Sequence, residues 1–395
     1  MYESINRYDC TWSTYNSIQD KLHILETEIS NKKCFLGFDG YIDFLYSLVE
    51  SRESPNKWER MKSMDSFGQK IIKVSGSAAS IERVLKRKIA GGFAPNTSRA
   101  MTALGANITL VAALGYPNVL DVFSPLIQNK YIHALSISNP GETIGLEFDD
   151  GKIMISDFGD IHSINWNLLK KIIGIEQLSE HLEKSQILGF GHWSLTQGLS
   201  DIWKGLMEEI FVNISIKDKL FFTDLSDIKK RSRGDVIEMT TILEKIEDLV
   251  PVLLSLNDQE VVDLSKALNI EIEEINTPKG IGYYDASKRL YDKLNLSYIV
   301  VHSPYFATIT SKNYGHFWVT EGFTSKPRFT TGAGDHFHSG TVLALKCGLT
   351  PAEAILFGNA LTAVFVRTGK SPNFQEVVRF ISNYMEYIEK DNPNF

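Results

Sequence analysis

The chain has 395 residues, of which 43% are hydrophobic and 23% are charged, and its formal net charge is −7 at pH 7. This composition is ordinary for a globular protein, and the length predicts one large α/β domain with an appendage, or two domains. No long run of Lys and Arg occurs, so we expect neither nucleic acid nor a membrane as a partner. No apolar run approaches the roughly 20 residues of a membrane-spanning helix, and no apolar signal segment opens the chain, so we expect a cytoplasmic protein. Its cysteines, Cys10, Cys34 and Cys347, are too widely spaced to predict a disulfide framework or a zinc site.

Residues 1–30 are expected to form an N-terminal helical extension to a main domain that spans residues 31–395. Apolar side chains recur in the extension at helical spacing, which predicts one amphipathic helix lying on the core. These side chains are Ile18, Leu22, Leu25 and Ile29.

A buried strand is predicted at residues 33–36, and two acids follow it in the run G-F-D-G-Y-I-D. The carboxyl end of a strand is where α/β folds place ligands. Asp39 and Asp43 are therefore candidate ligand-binding residues, because each carboxylate can accept hydrogen bonds from two hydroxyl groups. An ordinary acidic turn accounts for the same pattern.

Two later segments are expected to form a lid or insertion. Residues 44–90 are polar and longer than a usual connection. Residues 136–160 contain two strand-like runs joined by Asp-Asp-Gly, which predicts a β-hairpin. Between the two segments, Gly91 and Gly92 precede a predicted helix at residues 97–104.

Strand-like and helical runs alternate from residue 186 onward, which predicts a doubly wound, mostly parallel sheet flanked by helices. Asp224 stands at the end of one of these strands. The next strand ends in Asn-x-x-Glu at residues 257–260, a pattern that fits either a helix capping box or a phosphate and metal site. The strand-like runs are 187–190, 220–223, 252–256 and 298–302, and the helical runs are about 199–214, 235–249 and 280–295.

The most informative stretch is T-T-G-A-G-D-H-F, which starts at Thr330. Gly332, Ala333 and Gly334 form a turn that opens a helix, so unpaired N–H groups and the helix dipole can hold an anion there. Asp335 beside that turn could take a proton from an attacking hydroxyl group. The alternative is an ordinary acid in the first turn of a helix.

This stretch is very similar to the C-terminal signature of the ribokinase-like (PfkB) carbohydrate kinases. Residues 91–96, which read G-G-F-A-P-N, resemble the other signature of that family, G-G-x-x-x-N. The resemblance spans about residues 34–372. It implies a ribokinase-like α/β fold with a small β-sheet lid that excludes water from the acceptor.

The resemblance further implies a kinase that transfers the γ-phosphoryl group of ATP to a hydroxyl of a sugar-like molecule. Asp335 would be the general base, and the turn from Gly332 to Gly334 would be the anion hole. Mg²⁺ would lie near Asn257 and Glu260, held through water. The acceptor would contact Asp39, Asp43, Gly91, Gly92 and Asn96, and the nucleotide would contact Asn257, Glu260, Thr331, Asn359, Ala363 and Gly369.

The chain departs from the family pattern at three places. Phe329 replaces an acid associated with a monovalent cation, and residues 302–305, H-S-P-Y, replace a glycine-containing nucleotide loop. Lys229 and Lys230 are expected phosphate contacts in an altered D-L-S-D-I-K-K-R-S run.

Two other functions remain open. Aromatic walls at Phe38, Tyr41 and Phe93 would suit a nucleoside kinase, and a non-catalytic ligand-binding protein could share the fold. A homodimer is expected if a second subunit covers the edges of the lid sheet. His336 and His338 point apart on a helix, so we expect surface or pocket-lining residues there rather than a metal pair.

Overall fold

The structure is a computed structural model that describes residues 6–272 and 282–395. Its helices are α1 Arg7–Gln19, α2 Leu22–Ser30, α3 Met64–Lys73, α4 Phe93–Ala103, α5 Ser124–Ile127, α6 Trp166–Ile172, α7 Ile175–Lys184, α8 Leu199–Gly205, α9 Arg233–Glu247, α10 Asp258–Ala267, α11 Gly282–Leu294, α12 Ala333–Lys346, α13 Pro351–Thr368, α14 Phe374–Ser382 and α15 Tyr384–Glu389. Its strands are β1 Lys33–Phe38, β2 Tyr41–Ser54, β3 Lys57–Arg60, β4 Arg83–Gly91, β5 Asn107–Ala112, β6 Ile132–Ser136, β7 Gly141–Glu147, β8 Lys152–Asp157, β9 Ile187–Gly191, β10 Leu220–Asp224, β11 Val252–Asn257, β12 Tyr298–His302, β13 Phe306–Ser311 and β14 Gly315–Thr320.

The main sheet has the strand order β14-β13-β12-β11-β10-β9-β1-β5-β6. Its strands from β6 to β12 are parallel, and the β13–β14 hairpin adds antiparallel strands at one edge. The prediction of a doubly wound, mostly parallel sheet is therefore confirmed. In such a sheet the carboxyl ends of all the parallel strands meet at one edge.

Helices cover both faces of this sheet, because its strands are apolar on both sides. Successive side chains of β1 show the alternation: Cys34 and Leu36 join one hydrophobic cluster, whereas Phe35 joins the other. The first cluster includes residues of α2, α4, α12, α13 and α14. The second includes residues of α6 to α11.

A smaller sheet follows the carboxyl end of β1, because β2 starts at Tyr41 directly after the end of that strand. Its strand order is β3-β2-β7-β8, and β4 also pairs with β2. The predicted hairpin is confirmed, since β7 and β8 pair antiparallel on either side of Asp149-Asp150-Gly151. Residues 44–90 supply most of β2, then β3, α3 and nearly all of β4.

The prediction of one N-terminal helix is wrong, because the described part of the extension forms two helices, α1 and α2. They are separated at Asp20 and Lys21, where the chain turns and Lys21 reaches toward α13. Residues 1–5 of the expected extension, and residues 280–281 of the expected helix at 280–295, lie outside the described residues. The four apolar side chains that led to the prediction are all buried: Ile18, Leu22, Leu25 and Ile29.

Other boundaries differ in smaller ways. The helix expected at 97–104 starts earlier, at Phe93. The helix expected at 199–214 continues from α8 as the π-helical turn Leu206–Phe211. No helix in the described ranges is both long and apolar enough to span a membrane.

A buried acid fastens the N-terminal helices to the core. The Glu353 side chain is 1% exposed and accepts hydrogen bonds from Lys21 Nζ and Ser17 Oγ, each at 2.7 Å. It also accepts from the backbone N–H of Thr350 at 2.8 Å, as part of the capping box of α13. Burial opposes ionisation of Glu353, but the hydrogen bonds from Lys21, Ser17 and Thr350 outweigh burial and lower its pKa.

Removing the ammonium group should destabilise the fold in a pH-dependent way. We expect Lys21→Met to lower the free energy of unfolding by about 1–2 kcal/mol at neutral pH, because Glu353 would stay buried with fewer donors and Lys21 is partly exposed. Since the pKa of Glu353 is lowered on folding, its contribution is present above its unfolded pKa of about 4.3 and is lost as the pH falls through the folded value. Urea unfolding at a series of pH values measures both effects. Lys184→Met, which breaks a solvent-exposed pair with Glu180, is the control and should change little. A Lys21→Met penalty that is equally large in acid would contradict this account.

Candidate active site

A cavity of about 760 Å³ lies at the carboxyl edge of the main sheet, between that sheet and the small sheet. It is lined by ends of β10, β11 and β12, by the start of α12, and by side chains of β2 and β8. Most of the residues singled out from the sequence meet in it: Asp43, Gly92, Asn96, Asn257, Glu260, Thr331, Gly332, Ala333, Gly334 and Asp335.

The Gly-Ala-Gly turn opens α12 as the sequence predicts. Gly332 precedes the helix with a φ of 84°, a left-handed conformation that favours glycine. A Cβ atom on Gly334 would lie 3.2 Å from Cε1 of His302, so the turn also needs a small residue there. The first N–H groups of a helix have no intrahelical partner, and here the turn that carries them lines the cavity. The N–H of Ala333 donates to the carbonyl oxygen of Thr330 at 3.1 Å. The turn can therefore hold an anion.

A buried histidine fixes this turn from behind. His336 Nδ1 lies 2.7 Å from the carbonyl oxygen of Gly332, and its Nε2 lies 2.8 Å from Oγ of Ser371. Burial lowers the pKa of His336 to about 3, so the ring is neutral. The expectation that His336 and His338 lie at the surface or line the pocket is wrong, since both are fully buried. They do point apart, because His338 Nε2 contacts Thr97 Oγ1 at 3.1 Å.

Asp335 is held in one orientation by Asn96. Its Oδ2 accepts a hydrogen bond from Asn96 Nδ2 at 2.8 Å. Asn96 is itself oriented, because its Oδ1 accepts from Arg99 Nη1 at 3.0 Å. The two signature segments of the sequence, which lie more than 200 positions apart, therefore meet through one buried hydrogen bond. The second carboxylate oxygen of Asp335, Oδ1, lies 3.7 Å from a ring nitrogen of His192 and 3.7 Å from one of His338.

His192 is a site residue that our sequence interpretation missed. It follows β9, and its ring nitrogens lie 3.3 Å from Asp39 Oδ2, 3.7 Å from Asp335 Oδ1 and 3.9 Å from Asp224 Oδ1. Burial alone would lower the pKa of His192, but its contacts with Asp335 and Asp39 raise that pKa well above the usual value. The ring is therefore an imidazolium among carboxylates. Its position at the carboxyl end of a buried strand was the available signal.

Asp39 and Asp43 have different roles in the structure. Asp39 is fully buried and accepts hydrogen bonds from the backbone N–H groups of Phe93 and Ala94, each at 2.9 Å. It thus satisfies the N-terminus of α4 and does not line the cavity, which corrects the expectation that it contacts an acceptor. Asp43 does line the cavity. Burial raises the pKa of Asp43 to about 6, against the opposing charge of Lys152.

The Gly91-Gly92 pair makes room for these two acids. A Cβ atom on Gly91 would lie 2.2 Å from Asp43 Oδ2, which is closer than atoms can approach. Gly92 has a φ of 99°, and a Cβ atom there would lie 3.1 Å from Asp39 Oδ2. Only Gly92 lines the cavity, so Gly91 acts through the position of Asp43.

Asn257 and Glu260 form a helix capping box, which is one of the two interpretations that their sequence pattern allowed. Asn257 Oδ1 accepts from the N–H groups of Gln259 and Glu260, and Glu260 Oε2 accepts from the N–H of Asn257 at 2.9 Å. Both residues also line the cavity, so the other interpretation stays a prediction. Burial, with the nearby Asp224 carboxylate, raises the pKa of Glu260 well above its usual value. Among residues 6–272 and 282–395, no group of three or more His, Cys, Asp or Glu side chains could by itself hold a metal ion.

A second site residue missed by the sequence interpretation comes from the small sheet. Lys152, on β8, donates a hydrogen bond from Nζ to Thr331 Oγ1 at 2.6 Å. It lines the same cavity as Asp335, and its charge also acts on Asp43. The small sheet thus places a cation directly beside the anion turn. Lys229 and Lys230 line the cavity as well.

A second cavity, of about 560 Å³, adjoins the first and shares His302, Ala333 and Gly334 with it. Helix α13 does line this second cavity, but through a face next to the expected one. Thr362 and Val366, one helical turn apart, form that face. Asn359, Ala363 and Gly369 are not part of the wall. Asn359 is fully buried and donates to the hydroxyl of Tyr384 at 3.2 Å, Ala363 is 1% exposed, and Gly369 ends the helix with a φ of 70°.

The sequence model of the prokaryotic ketohexokinase family matches residues 11–384 of the chain. A ketohexokinase of Haloferax volcanii is 28% identical over 368 residues, which cover 92% of this chain and 95% of that protein.

Solved structures with the same fold include a ribokinase of Arabidopsis thaliana in complex with ribose and ATP. It has a TM-score of 0.59 at 15% identity, over 89% of this chain and 98% of that one. A nucleoside kinase of Methanocaldococcus jannaschii, an archaeal member of the ribokinase family, has a TM-score of 0.56 at 16% identity, over 89% of this chain and 98% of that one. These matches confirm the ribokinase-like fold with a second, smaller sheet. The chain belongs to the prokaryotic ketohexokinase family and is an ATP-dependent carbohydrate kinase.

Proposed function

We propose that this enzyme transfers the γ-phosphoryl group of ATP to a hydroxyl group of a ketohexose, with Asp335 as the general base. The observation that carries the proposal is the placement of Asp335 by Asn96 at the first turn of α12, beside N–H groups that can hold a phosphoryl group. The ketohexose is supported by the family match and by the Haloferax volcanii relative.

The reaction needs one proton acceptor and several positive charges. As the acceptor oxygen bonds to the γ-phosphorus, Asp335 takes the hydroxyl proton, and the bond to the bridging oxygen breaks so that ADP leaves. The N–H groups of the turn from Gly332 to Gly334 face the transferring phosphoryl group, where its charge is greatest. Lys152 adds positive charge from the small sheet, next to the same turn, although burial lowers its pKa against the opposing charges of Asp43 and Glu147.

His192 serves as a positioning residue for the acids. Its imidazolium balances part of the negative charge that Asp39, Asp224 and Asp335 bring to one buried place. Without that charge, the three carboxylates would repel each other, and burial makes this repulsion stronger than it is in water. His192 also lines the cavity, so it can contact an acceptor hydroxyl group.

Mg²⁺ fits the oxygen side chains at the nucleotide end of the cavity. We propose that Asn257 and Glu260 hold it through water, since their side-chain oxygens already serve the capping box. When bound, the ion offsets the charge of the donor phosphates. Most of its ligands would therefore come from the nucleotide and from solvent.

The acceptor side of the cavity favours a sugar over a nucleoside. Asp43, Gly92 and Asn96 line it and offer hydrogen-bonding groups to hydroxyls. Of the aromatic residues that would suit a nucleoside, Phe38 and Phe93 are fully buried and do not line the cavity. Only Tyr41 of the three remains as a wall. A non-catalytic role would leave the fixed Asp335 carboxylate without a purpose.

We propose that the small sheet, from residues 44–90 and 136–160, is a lid that excludes water from the phosphoryl group, and that residues 31–395 form the kinase domain. The lid contributes Lys152, Met154 and Ser156 to the cavity. Leu85 and Ile155 on this sheet are exposed. A second subunit packed on this sheet would bury these residues and the free strand edges, which supports the proposed homodimer.

Replacing the base should abolish turnover without loss of nucleotide binding. We expect Asp335→Asn to lower kcat by about a hundredfold or more, because the amide cannot take a proton, while the Kd for MgATP stays near the wild-type value. ADP release should be measured with a panel of ketohexoses, aldoses, sugar acids and nucleosides, and nucleotide binding by calorimetry. Asp9→Asn, an exposed first-turn acid of α1, is the matched control. Unchanged turnover in Asp335→Asn would remove that residue from the mechanism.

The affinity for the acceptor should depend on the protonation of Asp43. Since its pKa is about 6, Asp43 is ionised at neutral pH and accepts hydroxyl donors with both oxygens. Below that pH the carboxyl group becomes protonated, so we expect the KM of the acceptor to rise as the pH falls. Steady-state kinetics across the pH range should show this rise in the wild type and a higher, flatter KM in Asp43→Asn. A wild-type KM that is constant down to about pH 5 would speak against an ionised Asp43 as the sugar contact.

Lys152 should affect the chemical step more than binding. We expect Lys152→Met to lower kcat by about ten- to a hundredfold with a smaller change in either KM, because the charge acts on the transferring phosphoryl group. Lys152→Arg should recover part of the rate. Lys312→Met, on a loop of the main sheet outside the cavity, tests for a general effect of losing a lysine. Equal kcat values for wild type and Lys152→Met would place the side chain outside the reaction.

A further inference from the structure

The second cavity contains one acid that the proposed mechanism does not use. Glu321 follows β14, is 6% exposed and lines this cavity. In the described part of the chain, no hydrogen bond to its carboxyl oxygens is present, although its backbone N–H donates to the carbonyl oxygen of Tyr305 at 3.0 Å. A buried carboxyl group without a partner is costly, so its presence beside a cavity calls for a ligand.

The nearest cation does not account for Glu321. Arg367 is 2% exposed and acts on Glu321 through its charge, but its N–H groups are directed at backbone carbonyl oxygens. The acceptors are the carbonyl oxygens of Gly322, Phe323, Ala363 and Asn392, at 2.8 to 3.1 Å. Arg367 therefore holds the segment that carries Glu321 in place. Burial raises the pKa of Glu321 well above its usual value, with Arg367 opposing that rise.

Glu321 lies in the part of the second cavity that is not shared with the first. The shared residues include Ala333 and Gly334, so the shared region is the phosphate end of the nucleotide site. Glu321 belongs to the unshared part, with Pro304, Phe323, Val366 and other apolar side chains. Ser303, Thr324, Ser325, Thr362 and Asp258 line this part as well, but Asp258 is only half-buried and already accepts a hydrogen bond from the N–H of Gln259, whereas Glu321 is buried. A pocket with apolar walls and a few placed polar groups is the arrangement that binds and orients a flat heterocycle.

We propose that Glu321 recognises the base of the nucleotide donor, with its carboxyl group accepting a hydrogen bond from the exocyclic amino group of adenine. The inference rests on the proposed function, because it takes the phosphates to lie at the anion turn. A neutral carboxyl group also offers an O–H donor beside its acceptor oxygen, and the ring nitrogen next to the amino group of adenine is an acceptor. Donor selectivity then depends on this one buried side chain, while the apolar walls of Pro304, Phe323 and Val366 contribute shape.

The test compares two nucleotides that differ only at the amino group. Calorimetry in the absence of any acceptor gives the Kd values of MgATP and of the magnesium complex of purine riboside triphosphate, which lacks the 6-amino group. We expect the wild type to bind MgATP about tenfold more tightly, because the analogue leaves the Glu321 oxygen unpaired. Glu321→Gln should keep this preference, since an amide also presents a donor beside an acceptor. Glu321→Leu should bind the two nucleotides equally.

Several outcomes would overturn the proposal. Equal wild-type affinity for the two nucleotides would overturn it without any variant. The proposal can therefore be tested even if Glu321→Leu does not fold. An unchanged preference in a folded Glu321→Leu, or tighter wild-type binding of MgGTP than of MgATP, also overturns it. Glu386→Gln, a variant of α15 outside the cavity, is the control. Because binding is measured without an acceptor, failure of base recognition stays distinct from failure of the proposed ketohexose kinase reaction.

Discussion

The electrostatic problem at the carboxyl edge of the main sheet determines much of the surrounding structure. Asp39, Asp224 and Asp335 arrive there from three different elements and are all buried. Their mutual repulsion would be large at low dielectric, and a single imidazolium, His192, lies within 4 Å of all three. Burial raises the pKa of Asp224 to about 6 even though His192 opposes that shift. The site therefore concentrates negative charge around Asp335, the proposed general base.

The same constraint joins the two signature segments. The Gly91-Gly92 pair leaves room for two carboxylates, because a Cβ atom on Gly91 would lie 2.2 Å from Asp43 Oδ2 and one on Gly92 would lie 3.1 Å from Asp39 Oδ2. Asp39 satisfies the N–H groups at the start of α4, and Asn96 in the first turns of that helix holds Asp335 at the start of α12. Two helix N-termini thus face one cavity, and each contributes positive potential to it. A sugar kinase needs this arrangement because neither the base nor the phosphoryl group can be solvated by bulk water during transfer.

Much of this was available from the sequence, because it depends on local patterns. Alternating strands and helices, the D-D-G hairpin and the capping box at Asn257 are determined within a few residues of each other. The G-A-G-D turn likewise carries its geometry locally, since only small residues and a positive φ at Gly332 permit it.

What could not be predicted depends on contacts between distant segments. Lys152 belongs to a strand of the small sheet whose distance from Thr331 follows from the packing of two sheets. His192 carries no motif of its own, and its charge state arises from acids that other elements supply. The prediction of which face of α13 lines the cavity was wrong by a fraction of a turn, because Asn359 points to Tyr384 rather than to the cavity. Asp39 resembled a ligand contact, yet its oxygens serve backbone N–H groups that the sequence alone did not assign to it.

The β2 strand runs without interruption from the active site into the small sheet, and β7 joins it to β8. Asp43 and Lys152 are therefore parts of one mechanical unit, although one is the proposed acceptor contact and the other lies beside the proposed anion turn. Any displacement of that unit withdraws both side chains together. On the proposed mechanism, this sheet couples recognition of the sugar by Asp43 to the placement of the Lys152 charge, so that an empty acceptor site leaves the phosphate site incomplete. The same proposal assigns protection against transfer to water to the connectivity of a single sheet.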